Sequence, residues 1–307
     1  MLAIVAPGQG AQKPGMLSSW LELDGAADAL TLMSDRAHLD LTQLGTEASA
    51  EEIKDTAITQ PLVVAAALLA TRYLHIPSTA AVAGHSVGEL AAASVAGILS
   101  DLDAVHLAAV RGQAMSAACA LTPTGMSAVM GGATDDVLAA LEELDLVGAN
   151  VNGGGQIVAA GPLDALDQLK ANPPKGVRII PLPVAGAFHT SFMGSAEHAL
   201  REHVGTLHPQ DPTHVLLTNS DGTVIGNGAN YLQLLVAQVV HPVRWDECMR
   251  TLGNLGVTGV LELPPAGTLV GLVKRDLKGV STMALKTPAD LDDAAAFAAE
   301  HAGVRQA

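Results

Sequence analysis

The stretch AVAGHSVGELAAAS, residues 81–94, constrains the fold more than any other part of the chain. A short apolar run, of strand length, meets Gly84-His85-Ser86-Val87-Gly88, and a helical pattern begins at once. With no linker between strand and helix the turn must be sharp, and only small residues fit at both of its flanks. Such a turn lifts the Ser86 hydroxyl out at the carboxyl end of a sheet. It also sets that hydroxyl beside a helix N-terminus, where backbone N–H groups are unpaired and can meet a developing oxyanion. Val87 N–H is the natural first donor. A glycine-lined turn with a helix-capping serine has the same local pattern, so the rest of the chain must discriminate.

Strand and helix signals alternate on both sides of this turn. LAIVAP is a short buried strand that ends in the loop PGQGAQKPG, and a helical region spans roughly residues 16–36. Gln60-Pro61 is read as the opening of a long helix, with proline in the tolerated first turn. Ser100-Asp101 caps DAVHLAAVRGQAMSAACA. The order changes after Thr122-Pro123. GMSAVMGG, VGANVN, GQIVAAG and VRIIPLPV read as strands, interleaved with the helices DDVLAALEEL, capped by Thr134 and Asp135, and PLDALDQLKA, started by Pro162. That is β-α-β-β-α-β, the order of a ferredoxin-like unit. VLLTNS, VTGVLELP and VSTMAL then resume the first pattern, and the Ala-rich LDDAAAFAAEHA reads as a terminal helix. The expected class is α/β, with a mostly parallel sheet covered on both faces and a small inserted subdomain.

Composition narrows the function. Of 307 residues, 49% are apolar, but only 2 Trp, 2 Tyr and 3 Phe occur. Helices packed on a buried sheet use such a palette; an aromatic-rich sandwich does not. The formal net charge of -15 argues against nucleic acid as the main partner, because phosphate binding needs a basic footprint. Cys119 and Cys248 are too few and too isolated for a disulfide framework or a zinc cluster, which points to a reducing compartment. The N-terminus has no signal-peptide pattern and no stretch has the length of a membrane span. The expectation is a soluble cytoplasmic protein.

A serine nucleophile needs a base. There are 11 histidines, so the presence of one proves little. His85 neighbours the serine on a turn so tight that its ring points away, which makes it a wall or ligand contact. His106 sits on a helix face. His198, His203, His208 and His214 lack metal-site spacing, and HALREH is not H-E-x-x-H. His189 follows VAGAF, directly after the last strand of the insertion, and is the candidate by position.

Six motifs in order give the chain a recognisable face: PGQGAQ (7–12), ITQPL (58–62), GHSVGE (84–89), Arg111 in AAVRGQAM, GAFHTSFM (186–193) and HPVRW (241–245). The chain resembles the malonyl-CoA:acyl carrier protein transacylases of fatty acid synthesis and the acyltransferase domains of polyketide synthases. The resemblance spans nearly the whole chain. It implies an α/β-hydrolase-like core over 1–123 and 187–307, interrupted by the ferredoxin-like subdomain at 124–186.

The resemblance implies Ser86 as nucleophile and His189 as base, with the main-chain carbonyl of Gln238 orienting the imidazole in place of an acid. Gln9 would supply a second oxyanion N–H beside Val87; PGQGAQ as a dinucleotide loop is disfavoured because G-x-G-x-x-K lacks the third glycine. On its own, an arginine in an Ala-rich helix reads as a surface or snorkelling residue. With the resemblance, Arg111 becomes the clamp for the free carboxylate of malonyl, since a planar guanidinium can hold it with two parallel charge-assisted bonds. His85 and Gln60 would line the same pocket. Phe188, before the histidine, would crowd the branch methyl of methylmalonyl.

The implied reaction is a ping-pong transfer from malonyl-CoA to acyl carrier protein, with no metal or redox cofactor, no nucleic acid and no membrane. Carrier proteins of this kind are acidic, so a local basic patch is expected at Lys175 and Arg178, or at Lys274, Arg275 and Lys278. No ketosynthase or carrier domain is attached, which favours a discrete fatty acid enzyme; a freestanding polyketide acyltransferase and a serine thioesterase or hydrolase are the alternatives. One departure stands out. The family's E-x-G-P-G appears here as Glu262-Leu263-Pro264-Pro265-Ala266-Gly267.

Overall fold

The computed structural model describes residues 1–303. Its strands run, in chain order, β1 (Leu2–Ala6), β2 (Ala81–Gly84), β3 (Thr124–Met130), β4 (Val147–Gly153), β5 (Gln156–Pro162) and β6 (Arg178–Pro181). They continue as β7 (Val215–Leu217), β8 (Val224–Ile225), β9 (Val243–Arg244), β10 (Gly259–Glu262) and β11 (Ser281–Ala284). Two sheets form. The first has the order β11-β10-β1-β2-β7-β8, parallel except for the edge pair β7–β8. Every residue of β1, β2 and β10 is buried, as expected for parallel strands covered on both faces.

The second sheet has the order β6-β3-β5-β4-β9. Its β3–β5, β3–β6 and β4–β5 pairs are antiparallel, and β9 joins β4 in parallel. The pair β8 and β9 is absent from the reading of the sequence, because two-residue strands carry no periodicity to detect. β9 has a consequence: chain some sixty residues beyond β6 extends the second sheet and ties it to the rest of the fold.

Three local expectations are corrected. The long helix runs Thr56–Thr71, so Pro61 lies inside it. Asp55 supplies the start, its side chain accepting from Ala57 N at 2.9 Å, and thirteen buried residues hold the helix in place despite the missing proline N–H. The region 16–36 is not one helix; Gly25, at φ 76°, breaks it before the helix Ala26–Ala37. Ala133 occupies the cap position of Thr134–Glu142, with no side-chain bond, so Thr134 and Asp135 are already helical. Ser100 does cap Asp101–Cys119 through Asp103 N at 3.1 Å.

Close packing then places the functional elements. A Cβ on Gly112 would lie 2.5 Å from Thr56 O, so only glycine lets the helix Asp101–Cys119 press onto the start of Thr56–Thr71. That contact carries the neighbouring Arg111 inward to Gln60.

Candidate active site

The turn after β2 is as tight as the sequence requires. A Cβ at Gly84 would run into the backbone of Gly88 and Glu89, and one at Gly88 into the carbonyls of Ala6 and Pro7. Ser86 between them adopts φ 53°, a left-handed conformation that a non-glycine residue holds only under constraint. The constraint is Asn219, just past β7. Its Oδ1 accepts from Ser86 N at 2.8 Å and its Nδ2 donates to Gly84 O at 2.7 Å, so one amide staples both sides of the turn. The helix Gly88–Val95 opens immediately beyond Val87.

The imidazole arrives from 103 residues away. Ser86 Oγ and His189 Nε2 lie 2.8 Å apart, and His189 Nδ1 is 2.7 Å from the main-chain oxygen of Gln238. A carbonyl can only accept, so Nδ1 carries the proton and Nε2 presents its lone pair to the serine hydroxyl. His189 also holds a positive φ, 61°. Burial pushes its pKa down to about 3, with the Arg111 charge adding to the effect and the Gln238 carbonyl opposing it. The imidazole is therefore neutral through the physiological range.

Arg111 is 2% exposed. Its Nη1 donates to Gln60 Oε1 at 2.7 Å, and its Nη2 donates to Gln238 Oε1 at 2.9 Å and to Ser86 Oγ at 3.3 Å. Burial lowers its pKa to about 10, which leaves it charged. Gln60 meets the site through this guanidinium rather than as a cleft wall: it is 1% exposed and donates to Thr56 Oγ1 at 2.9 Å.

The serine opens into a cleft of about 190 Å³ between the two sheets. Gly8, Gln9, His85 and Ser86 face Asn150, Asn152 and Gln156 across it, with Phe188 and Leu269 also in the lining. The Gln9 loop sits on the elbow, since a Cβ at Gly8 would be 2.7 Å from His85 O, and Gln9 Oε1 accepts from Thr56 Oγ1 at 2.8 Å. His85 points away from the serine. Its Nε2 is 2.8 Å from Asn152 Oδ1, and its ring meets Trp245 edge-on at 5.6 Å between centroids.

The Glu262–Gly267 run borders the cleft through its first residue, while none of its six residues lines the cleft. The Glu262 carboxylate accepts from Thr268, Leu269 and Val270 N–H groups at 2.9–3.2 Å, which fixes the start of the helix Leu269–Asp276 whose first residues line the cleft.

A sequence profile described as the acyl transferase domain matches residues 4–298. The chain belongs to the acyl transferase family. The malonyl CoA-acyl carrier protein transacylase of Mycobacterium bovis is 53% identical over 300 residues, covering 96% of this chain and 99% of its own. The crystal structure of MCAT from Mycobacterium tuberculosis superposes with a TM-score of 0.92 at 52% identity, over 96% of this chain and 99% of that one. A malonyl-transacylase solved with a holo type II polyketide acyl-carrier protein matches at a TM-score of 0.88 and 29% identity, over 96% and 99%.

Two site residues of this acyl transferase carried no assigned role in the sequence. Asn219, in VLLTNS, offered only its place after a strand in a parallel sheet. Glu89 stood in the quoted GHSVGE, and the signal available was a carboxylate inside an otherwise apolar helix. Burial raises its pKa to about 8, against the pull of the Asn219 N–H and the Arg111 charge. His106, read as a helix-face residue, and His203, which lacks metal-site spacing, pack edge to face at 4.8 Å between ring centroids, and neither lines the cleft. No helix of the described residues is long and apolar enough to cross a membrane.

Proposed function

We propose that the chain transfers the malonyl group of malonyl-CoA to the phosphopantetheine thiol of an acyl carrier protein, through an ester on Ser86. The observation that carries this is the buried Arg111 guanidinium 3.3 Å from the Ser86 hydroxyl. A hydrolase of neutral esters has no use for a desolvated cation beside its nucleophile. An acyl group with a free carboxylate does, because that carboxylate can replace the serine contact with charge-assisted bonds.

In the first half-reaction Ser86 Oγ attacks the thioester carbon while His189 Nε2 takes its proton. The Gln9 and Val87 main-chain N–H groups hold the oxyanion. The C–S bond breaks and the proton passes from His189 to the departing coenzyme A sulfur. In the second half-reaction the carrier thiol gives its proton to His189 and attacks the ester; Ser86 leaves and takes the proton back. The cycle balances without a metal or a redox cofactor. His85 and Phe188 shape the acyl pocket, and the Phe188 ring disfavours a branch methyl.

The finer architecture we read as a ferredoxin-like subdomain at 124–186, inserted into an α/β-hydrolase-like core at 1–123 and 187–307. The antiparallel order β6-β3-β5-β4 supports the first, and the parallel sheet with a serine elbow after β2 supports the second. β9 is core chain that extends the subdomain's sheet. The carrier would approach past the β4–β5 hairpin. Arg275 packs within 3.4 Å of a Cβ built on Gly154 in that hairpin, Arg178 pairs with Met130 beside it, and Lys175, Lys274 and Lys278 are exposed nearby in the chain. Among the described residues none of these five cations has an ion-pair partner, so an acidic carrier would supply it. The setting is the cytoplasm. A polyketide carrier is the second reading, favoured by the relative solved with one.

Intact-mass analysis tests the proposal. Mixing with malonyl-CoA is expected to add one malonyl group to the parent and none to Ser86→Ala. No adduct on the parent would make the chain a carrier-binding module, and release of free malonate as fast as carrier acylation would make it a hydrolase.

A further inference from the structure

Glu89 is a carboxylate 1% exposed, one turn below the nucleophile, and the reaction above makes no use of it. Its Oε1 accepts from Asn219 N at 2.6 Å and its Oε2 from Gln238 Nε2 at 2.5 Å. The same Gln238 side chain turns its Oε1 to Arg111 Nη2 at 2.9 Å. The chain of contacts is thus carboxylate, amide, guanidinium, serine hydroxyl.

An amide in that chain has a direction. With Nε2 on Glu89, Gln238 must offer oxygen to Arg111. Turned over, it would set an NH2 group against a cation that only donates. Nε2 also lies 3.1 Å from Asn219 Oδ1 and 3.4 Å from Ser86 O, but Glu89 is the nearest of the three acceptors. Both Glu89 oxygens accept, one from an N–H and one from an NH2, so this arrangement is that of the ionised group, which burial disfavours below about pH 8. The Gln238 main chain meanwhile holds His189. One residue therefore serves two functions, and its side-chain half is governed by Glu89.

We propose that Glu89 is a positioning residue for acyl-group selection: its carboxylate fixes the direction of the Gln238 amide, which aims Arg111 at the acyl group on Ser86. The proposal rests on the malonyl-clamp reading of Arg111. Glutamine at position 89 is the decisive substitution because it keeps the shape. An amide puts an NH2 where one of the two carboxylate oxygens stood, so either Asn219 N–H or Gln238 Nε2–H then faces a donor. Either outcome disturbs the network that holds the clamp, while the Gln238 carbonyl to His189 is untouched.

The test, run above pH 8 where Glu89 is ionised, compares Ser86 acylation rates with malonyl-CoA and with neutral acetyl-CoA in the parent, Glu89→Gln and Arg111→Ala. Loss of one charge-assisted contact should lower the malonyl-to-acetyl ratio of Glu89→Gln on the order of 10- to 100-fold. Its labelling by a serine-reactive fluorophosphonate, which carries no acyl carboxylate for Arg111 to hold, should change by a smaller factor than its malonyl acylation does. An unchanged ratio in Glu89→Gln alongside a reduced one in Arg111→Ala overturns the role of Glu89. Equal losses with both acyl groups overturn it too, since they mark a merely structural residue. An unchanged ratio in Arg111→Ala instead removes the clamp reading. If Glu89→Gln does not fold, Gln238→Met decides: it keeps the carbonyl and removes the amide link, and it should show the same fall in ratio. An unaltered ratio there sinks the proposal.

Discussion

The two sheets that enclose the cleft are built on opposite terms. The parallel sheet is buried throughout β1, β2 and β10, and it carries the serine elbow and the Asn219 staple; His189 follows β6 of the other sheet. The antiparallel sheet is buried along most of β3 and β5 but ends in β6, where three of four residues are exposed, and it lends Asn150, Asn152 and Gln156 to the cleft lining. Chemistry that needs a strained serine at φ 53° requires surroundings that cannot yield. Recognition of a large carrier requires exposed surface. On the proposed reading the molecule would divide the two tasks between its sheets, and β9 is the short strand that joins the second sheet to the rest of the chain.

The sharpest way to break this comparison is a single substitution in each sheet's territory. Gly88→Ala places a Cβ against the Ala6 and Pro7 carbonyls, and backbone cannot step aside as a side chain can. Acylation should fall by about 100-fold or more and stability by about 1–3 kcal/mol, read by rate and by denaturant melt. Ile180→Ala on β6, 39% exposed, should stay within about 0.5 kcal/mol of the parent. Equal effects would erase the distinction.

Next in size is the pH dependence of the buried base. With its pKa near 3, His189 stays in its neutral form, so acylation should show no acid limb near 6.5. In Arg111→Ala the repelling charge is gone, and any acid limb should move upward towards the ordinary histidine range. Stability carries the same sign. Between 6.5 and 3 the unfolded chain binds the His189 proton and the folded chain does not, so this contribution is complete above 6.5 and is lost as pH falls through that window. An acid limb at 6.5 in the parent would place the imidazole in water, contrary to its 3% exposure.

Phe188→Ser sharpens the comparison at the cleft itself. Relief of crowding around one methyl should raise acylation by methylmalonyl-CoA, relative to malonyl-CoA, on the order of 10-fold, measured by competition. The smallest effect belongs to the rim. Reversal of Lys175, Arg178, Lys274, Arg275 and Lys278 to glutamate should lower kcat/KM for carrier protein about tenfold at low ionic strength and much less at high salt, with malonyl-CoA acylation unaffected. Carrier kinetics indifferent to all five would move the docking face elsewhere.

Much of this was legible in one dimension. The glycines around Ser86 state a steric requirement that is local, so the elbow follows from five residues. The β-α-β-β-α-β order, the parallel character of the first sheet and the serine cap at Ser100 follow from periodicity and turn chemistry of the same short range. Proline at position 61 misled because its local preference was outweighed by burial of the whole helix. β8 and β9 were invisible because two residues carry no pattern.

Neighbours along the chain therefore determined the strand, the turn and the nucleophile it lifts. Only the tertiary structure decided what surrounds that nucleophile. Ser86 meets His189 across 103 residues and Asn219 across 133, while Gln238 reaches Glu89 across 149. Steric rules act between atoms a few bonds apart and can be read as spelling. The direction of a buried amide, and the charge it conveys, depend on which distant acceptor the closed fold brings within hydrogen-bonding reach.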